Sequence, residues 1–400
     1  MQEQHPEARF IIETLAKAGF VAYYAGGWVR DYLLNHPSDD IDIATNAPPE
    51  TIQVLFPKTV PIGLAFGIIL VLIGDKEFEV ATFRNDIEYK DGRRPTKIEF
   101  TTAQEDAKRR DFTINGMFYD PLKEEIYDFV DGEKDLRLKT IRAIGNPHER
   151  IKEDRLRMIR AVRLSARFNF TIDEKTIEAI KAHATELFPA VAMERIWQEL
   201  TKMKAFPGFK MALEMLYNLG LLSTIFPELK EVSKKELQER LSTLDNFPSD
   251  IPTIAYILEL FPNYTLQERI ELCKYLKLSN EEINFAVFLF ESEQKKLTEK
   301  WEYAHFYAHP YSIYCIQIFA ARLPIHDRPH YLQEQEKKIQ ELEQAILRIK
   351  NKKPVVTSQH LKEIGIQPGV KMGKLLKEAE RIAINENLED PKKVLEKLKF

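Results

Sequence analysis

The run Ala25-Gly26-Gly27-Trp28-Val29-Arg30-Asp31, followed by Asp40-Ile41-Asp42-Ile43, constrains the fold more than any other stretch of the chain. Val21 to Ala25 is apolar and aromatic and predicts a strand. Trp28 to Leu34 has helical spacing and stops before Pro37. The glycine pair therefore stands at a strand-to-helix turn. There, free backbone N–H groups and the positive end of the helix can meet a phosphate. In Asp40-Ile41-Asp42-Ile43 a strand puts alternate side chains on one face, so Asp40 and Asp42 point the same way. Two convergent carboxylates beside a phosphate-cradling turn are the parts that metal-assisted nucleotidyl transfer requires. A glycine pair by itself is only a turn, and an Asp-x-Asp by itself says little; their order along the chain carries the argument.

Strand and helix signals stay mixed to about residue 137. Phe10 to Ala18 predicts an amphipathic helix, and Pro48-Pro49-Glu50 opens another, with proline fitting the first turn. Ile68 to Ile73 and Glu77 to Phe83 predict strands flanking a turn at Gly74-Asp75. From about Ile151 the apolar residues recur at three and four, and short helices follow one another, broken near Pro207, Pro227, Pro248 and Pro252. The fold class is α+β: a small α/β head followed by an extended all-helical remainder. Four hundred residues exceed one core and imply two to four subdomains. The longest nearly apolar run, Gly63 to Gly74, is too short to span a bilayer and reads as a buried strand. The polar start, Met1 to Arg9, lacks a signal-peptide apolar core. Cys273 and Cys315 form no metal-ligand pattern and read as buried thiols of a reducing, cytoplasmic compartment. The net charge of −4 does not announce a nucleic-acid binder, but local patches bind phosphate, not averages.

Asp40 and Asp42 are the expected metal ligands and catalytic carboxylates. Mg²⁺ takes one or two carboxylates plus substrate phosphates, and two such ions can serve both the attacking 3′-hydroxyl and the leaving pyrophosphate. Glu79, acidic within an apolar strand, is the candidate third carboxylate; the alternative is a solvated strand-edge side chain. Gly26 and Gly27 can approach a triphosphate, Arg30 lies about one turn on, and Asp31 can hold Arg30 or pair locally. In Arg109-Arg110-Asp111-Phe112-Thr113-Ile114-Asn115, arginine can bind phosphate while Asp111 and Asn115 can bond ribose hydroxyls. Taken alone, that cluster reads as an Asp cap with surface arginines.

Selectivity points to Glu153-Asp154-Arg155-Leu156-Arg157, continuing through Arg160 and Arg163. On a helix Asp154 and Arg157 share a face, and Glu153 can steady the Arg157 guanidinium. Cytosine and adenine each offer an amino donor next to a ring-nitrogen acceptor. One carboxylate beside one guanidinium therefore fits both. Uracil and guanine place a carbonyl oxygen against the carboxylate, and such unpaired polar groups discriminate strongly. Residues 150–167 carry seven basic and two acidic side chains, with arginines at 157, 160 and 163. That spacing suits a triphosphate. The alternative is a solvated helix face.

These motifs together resemble the class II CCA-adding tRNA nucleotidyltransferases, which share a superfamily with bacterial poly(A) polymerases. Gly26-Gly27-x-Val29-Arg30-Asp31 with Asp40 and Asp42 is similar to the family's catalytic motif, and Arg109 to Asn115 to its ribose-selecting motif. Asp128 to Leu136 resembles the link from head to neck, Glu153 to Arg160 the protein template, and Glu194-Arg195-Ile196-Trp197-Gln198-Glu199 the motif that buttresses it. The resemblance implies a seahorse-like arrangement: a catalytic head over residues 1–137, a templating neck over 138–206, a body over 207–275 and a tRNA-binding tail over 276–400. It implies Asp40 and Asp42 as metal ligands, and Gly27, Arg30, Arg110, Asp154, Arg157, Arg160 and Arg163 as nucleotide contacts. It implies CTP, ATP and tRNA as partners, with no membrane.

Arg84-Asn85-Asp86 through Asp91-Gly92-Arg93-Arg94-Pro95 resembles the flexible loop the family needs to add the terminal A, which disfavours CC-only addition. Gly63-Leu64-Ala65-Phe66-Gly67 is similar to the tRNA enzymes rather than to poly(A) polymerases. A-only addition, poly(A) synthesis, or a catalytically silent RNA-binding protein are the competing readings. Residues 351–400 carry eleven basic and seven acidic side chains, and Gly365 to Gly373 resembles a turn that a phosphate chain can approach; an ordinary helical hairpin is the alternative.

Overall fold

The computed structural model describes residues 5–36, 38–89 and 95–399. The chain divides into two compact units, residues 1–234 and 235–400.

The first unit begins with helix α1 (Pro6–Lys17), whose Ile11, Ile12 and Leu15 are buried. Strand β1 (Ala22–Ala25) runs to Gly26, whose φ of +68° is the left-handed turn that lets α2 (Gly27–Leu33) begin at once. Strand β2 (Asp42–Thr45) returns antiparallel to β1, with Ala25 opposite Asp42. Helix α3 (Pro49–Leu55) carries proline in its first turn, and β3 (Thr59–Gly63), β4 (Ile68–Ile73) and β5 (Lys76–Thr82) follow. The turn between β4 and β5 uses Gly74 at φ +62°. Strands β6 (Arg84–Tyr89) and β7 (Pro95–Phe100) pair antiparallel with each other, apart from the main sheet. The expected A-addition loop, residues 84–95, begins in β6 and ends at the start of β7; its residues 90–94 lie outside the described residues.

Helix α4 (Ala103–Lys108) leads through Asp111 to Asn115 into β8 (Phe118–Asp120), β9 (Glu125–Tyr127) and helix α5 (Gly132–Arg137). The main sheet has seven strands in the order β3-β4-β5-β2-β1-β8-β9. All its pairs are antiparallel except β2 with β5, whose register sets Ile43 against Val80. That parallel pair brings Glu79 beside Asp42, one residue earlier on each strand. Between the strands, Phe83, Phe118, Ala25 and Ala44 pack as one buried cluster.

Beyond the sheet, the short strands β10 (Thr140–Ile141) and β11 (Thr171–Ile172) pair in parallel around α6 (Pro147–Glu153) and α7 (Leu156–Phe168). Next come α8 (Glu174–His183), α9 (Leu187–Ala190) and α10 (Met193–Lys204). Helix α7 buries Met158, Ile159, Ala161, Val162, Leu164 and Ser165, leaving its arginines on the remaining faces. The single helix expected over Glu153 to Arg163 is two helices. Helix α6 ends at Glu153, Asp154 is extended (φ −145°, ψ 104°), and α7 starts at Leu156.

The second unit is helical throughout. Cys273 and Cys315 are buried free thiols, as read from their neighbours. Its helix Val370–Asn385, the last but one, shares one buried cluster with Val356, Leu361, Val394 and Leu398 and contributes Ile384 to a second, with Ala304, Tyr307 and Ile346. Among the described residues, no helix is long and apolar enough to cross a membrane.

Candidate active site

A cavity of about 900 Å³ opens in the first unit, and every expected site residue lines it. Gly26, Gly27 and Arg30 come from the β1–α2 turn. Asp40 and Asp42 come from the approach to β2 and its first residue, and Glu79 from β5. Arg110, Asp111 and Asn115 follow α4, while Asp154, Arg157, Arg160 and Arg163 come from the α6–α7 junction and α7. Nine basic and six acidic side chains face this space, an excess of positive charge suited to a polyanion.

Asp40 lies just ahead of β2, not within it, so strand alternation does not set its direction; both carboxylates nonetheless reach the same cavity. The Asp42 carboxyl is pushed up to about 6, by burial first and then by the charges of Asp40 and Glu79, against the pull of Arg110. Asp40 and Glu79 thus place negative charge at Asp42, where a cation would relieve it. Among the described residues no group of three or more His, Cys, Asp or Glu side chains converges as a metal cage. Asp40 and Asp42 are the carboxylates that could hold a cation here, with Glu79 facing the same cavity. Hard oxygen donors in that number suit Mg²⁺, which fills its remaining positions with water and phosphate oxygens.

The glycine turn is closed by its neighbours. A Cβ on Gly26 would lie 3.2 Å from Arg110 Nη1 and 3.4 Å from Asp42 Oδ2, and one on Gly27 would lie 3.3 Å from Arg30 Nη2. Arg30 is buried, donates from Nε to Asp31 at 2.9 Å and from Nη1 to Asn115 at 2.6 Å, and lies 4.7 Å from the Phe168 ring centroid. Burial lowers its pKa to about 10, and nearby Arg167 and Arg163 add to the fall while Asp31 opposes it. Arg110 donates from Nε and Nη2 to Asp106 at 3.2 and 3.1 Å, with its guanidinium 5.0 Å from the Phe118 ring centroid.

Asp111 accepts from its neighbour Phe112 N–H at 2.8 Å, from Asn115 Nδ2 at 3.1 Å and from Arg160 at 2.8 Å. Burial alone would raise this carboxyl. The Arg160 charge and the Asn115 bond outweigh it and hold the pKa well below the usual carboxylate range.

Arg157 donates from Nη1 to Glu153 at 2.7 Å, the steadying contact expected from their spacing, and also to the Arg150 carbonyl at 2.8 Å. Its Nη2 donates to the Arg109 carbonyl at 3.1 Å. Asp154 accepts from Leu156 N–H at 3.1 Å and takes a two-pronged bond from Arg195, at 3.3 and 2.9 Å. Arg163 donates to Glu199 at 2.6 Å. Arg195 and Glu199, four apart on α10, thus hold one template residue and one arginine of α7.

Residue reasoning alone did not single out Arg84, Arg167, Lys202 or Phe206, which also line the cavity. Only Arg167 left a trace, extending the 157/160/163 series by four. Arg195 was visible only through the buttressing motif.

The matching family model over residues 22–142 is the Poly A polymerase head domain, and residues 252–398 match tRNA nucleotidyltransferase domain 2. The chain is 36% identical over 401 residues to a CCA-adding enzyme of Enterococcus faecalis, covering 97% of this chain and 94% of that one. It is 31% identical to one of Lactobacillus helveticus, with the same coverage. The solved Bacillus stearothermophilus CCA-adding enzyme in complex with CTP superposes with a TM-score of 0.81 at 26% identity, over 99% of this chain and 98% of that one. A Thermotoga maritima CCA-adding enzyme complexed with tRNA shares the fold, with a TM-score of 0.65 at 22% identity over 97% and 93% of the two chains.

Proposed function

This chain belongs to the CCA-adding enzymes, and from that premise we propose that it adds C, C and A to the 3′ end of tRNA from CTP and ATP, with Asp154 and Arg157 choosing the base. The observation that carries the reading is the convergence of thirteen expected residues, from the β1–α2 turn to α7, on one cavity.

The chemistry follows from the residues. Gly26 and Gly27 present a bare backbone at the start of α2, and Arg30, Arg110 and Arg163 bring charge to the triphosphate. Asp111 and Asn115 face the ribose hydroxyls. Asp154, oriented by Arg195, accepts the amino group of cytosine or adenine, and Arg157 donates to the neighbouring ring nitrogen. Uracil and guanine leave both groups mispaired, which costs about 1–3 kcal/mol for each buried polar group left unsatisfied. Asp40 and Asp42 would hold divalent cations, for which we propose two Mg²⁺ ions; when bound, these would supply charge neutralisation at the triphosphate and ease deprotonation of the 3′-hydroxyl. Glu79 adds negative field. The compartment we propose is the cytoplasm, where free buried thiols such as Cys273 and Cys315 persist.

The test is incorporation from each of the four labelled nucleotides, with Mg²⁺, into tRNA ending before its CCA. CTP must enter first and ATP after it, with UTP and GTP excluded. Arg157→Ala must erode that exclusion, not merely slow the rate. A protein that used ATP but never CTP would be an A-adding enzyme, and one that used neither would be a silent binder.

A further inference from the structure

Asp31 and Arg167 carry an inference that builds on the base-selection reading above. Asp31 is 4% exposed and serves two arginines at once. Its Oδ1 accepts from Arg30 of its own helix α2, and its Oδ2 accepts from Arg167 Nη2 at 3.1 Å, in the last turn of α7. The two guanidiniums share a platform as well as a carboxylate. Each lies 4.7 Å from the centroid of the Phe168 ring, and Arg167 lies 4.3 Å from that of Phe206 at the end of α10. Arg167 is thus a part-buried cation fixed in three ways, and it lines the same cavity as Arg157.

We propose that Arg167 is a positioning residue. Through Asp31 it pins the far end of the templating helix α7 to the phosphate turn, and so sets the distance at which a base is read once its triphosphate is seated. A helix rises about 1.5 Å per residue, so the ten residues from Arg157 to Arg167 span about 15 Å of rigid rod. One end of the rod faces the base. The other is bonded to the carboxylate that also orients Arg30. Shortening or loosening this tie lets α7 slide relative to the turn. A base could then meet Asp154 out of register, and the energetic difference between a matched and a mismatched Watson–Crick edge would shrink. Arg163 is held separately by Glu199 and cannot replace the tie, because Glu199 sits on α10 and not on α2.

The experiment compares Arg167→Gln, Asp31→Asn, the double variant and Arg157→Ala in the full chain. It measures kcat and KM for CTP, ATP and UTP on truncated tRNA, together with the thermal melt. The tie predicts that Arg167→Gln raises UTP use relative to CTP by about threefold to tenfold, toward the lower end of the coupling seen between residues in contact. KM for tRNA should not move, Arg167→Lys should restore part of the discrimination, and adding Arg167→Gln to Asp31→Asn should cost no further selectivity. If Arg167→Gln lowers the melt or the rate equally for all nucleotides and leaves the UTP-to-CTP ratio unchanged while Arg157→Ala alters it, the residue is merely structural and the inference is overturned. If Arg157→Ala also leaves the ratio unchanged, the base-selection reading has failed, and with it the inference that rests on it.

Discussion

Arg195 grips Asp154 with both terminal nitrogens, Nη1 to Oδ1 at 3.3 Å and Nη2 to Oδ2 at 2.9 Å. The grip matters because Asp154 has no helix to orient it. Its backbone is extended between α6 and α7, and among the described residues this pair and the Leu156 N–H fix the carboxylate. Arg195→Leu is therefore expected to reduce kcat/KM for CTP and ATP by about tenfold or more, in keeping with about 1.5–3 kcal/mol for a charged hydrogen bond. UTP and GTP should lose less, so discrimination narrows. Competition between labelled CTP and UTP on one tRNA reads the narrowing directly, and unaltered selectivity would show that Asp154 holds its direction unaided.

Asp42→Ala is expected to abolish incorporation of both C and A while tRNA affinity stays within about twofold, because the carboxylate serves chemistry shared by every addition step. Asp42 sits 3.4 Å from the position a Gly26 Cβ would take, so truncation frees space instead of creating a clash. Filter binding and single-turnover incorporation separate the two quantities; near-normal C addition by the pure variant would remove Asp42 from the metal site.

Much of this site could be read from residue order, and the reason is geometric. Gly26-Gly27 and Arg109 to Asn115 each sit at a short turn next to a strand or helix, where local spacing fixes direction, whereas Asp40 lies ahead of its strand and reaches the cavity without alternation to aim it. The Glu153–Arg157 contact is an i,i+4 pair and equally local. Tertiary partners escaped the residue reading. The break at Asp154 occurs without proline or glycine, and it is stabilised by Arg195, forty-one residues away. Asp31 was read as holding Arg30 or pairing locally; it holds Arg30, and its second partner, Arg167, lies 136 residues on. The strands β3 and β6 to β9 were missed because they are short or polar at the edges, and pairing across the sheet, not periodicity, defines them.

Asp111 gives a pH-dependent stability. Its folded pKa is depressed below the ordinary carboxylate value, chiefly because Arg160 and Asn115 overcome burial. The stabilisation is therefore fully present above the unfolded pKa, near 4, and is lost as pH falls toward the folded value. Asp111→Asn is expected to destabilise the first unit by about 2 kcal/mol at pH 7, less than the 3–5 kcal/mol of a fully buried pair, because the Arg160 side chain is 36% exposed. Denaturant melts at pH 7 and pH 3 test the sign: the gap between the two proteins should narrow at the lower pH, and a gap that widened would contradict the depressed pKa.

The helix Val370–Asn385 supplies the last prediction. Gly369 precedes it with φ +152° and no side-chain cap, and a Cβ on Gly365, Gly369 or Gly373 would meet nothing within 4 Å, so the backbone here is open to close approach. Lys371 and Lys374 stand exposed in its first turns. Deleting the region would be a poor test, because Asn385 accepts from Trp301 N–H and Arg381 pairs with Glu299, so removal strips partners from the rest of the second unit. Lys371→Gln with Lys374→Gln leaves those contacts in place. The double variant is expected to weaken tRNA binding severalfold at low salt, leave KM for CTP unchanged, and flatten the fall of affinity with salt by about one to two counterions. Fluorescence anisotropy over a salt series measures both affinity and slope. An unchanged slope would mean that these lysines touch no phosphate and that Gly365 to Gly373 is only a helical connection.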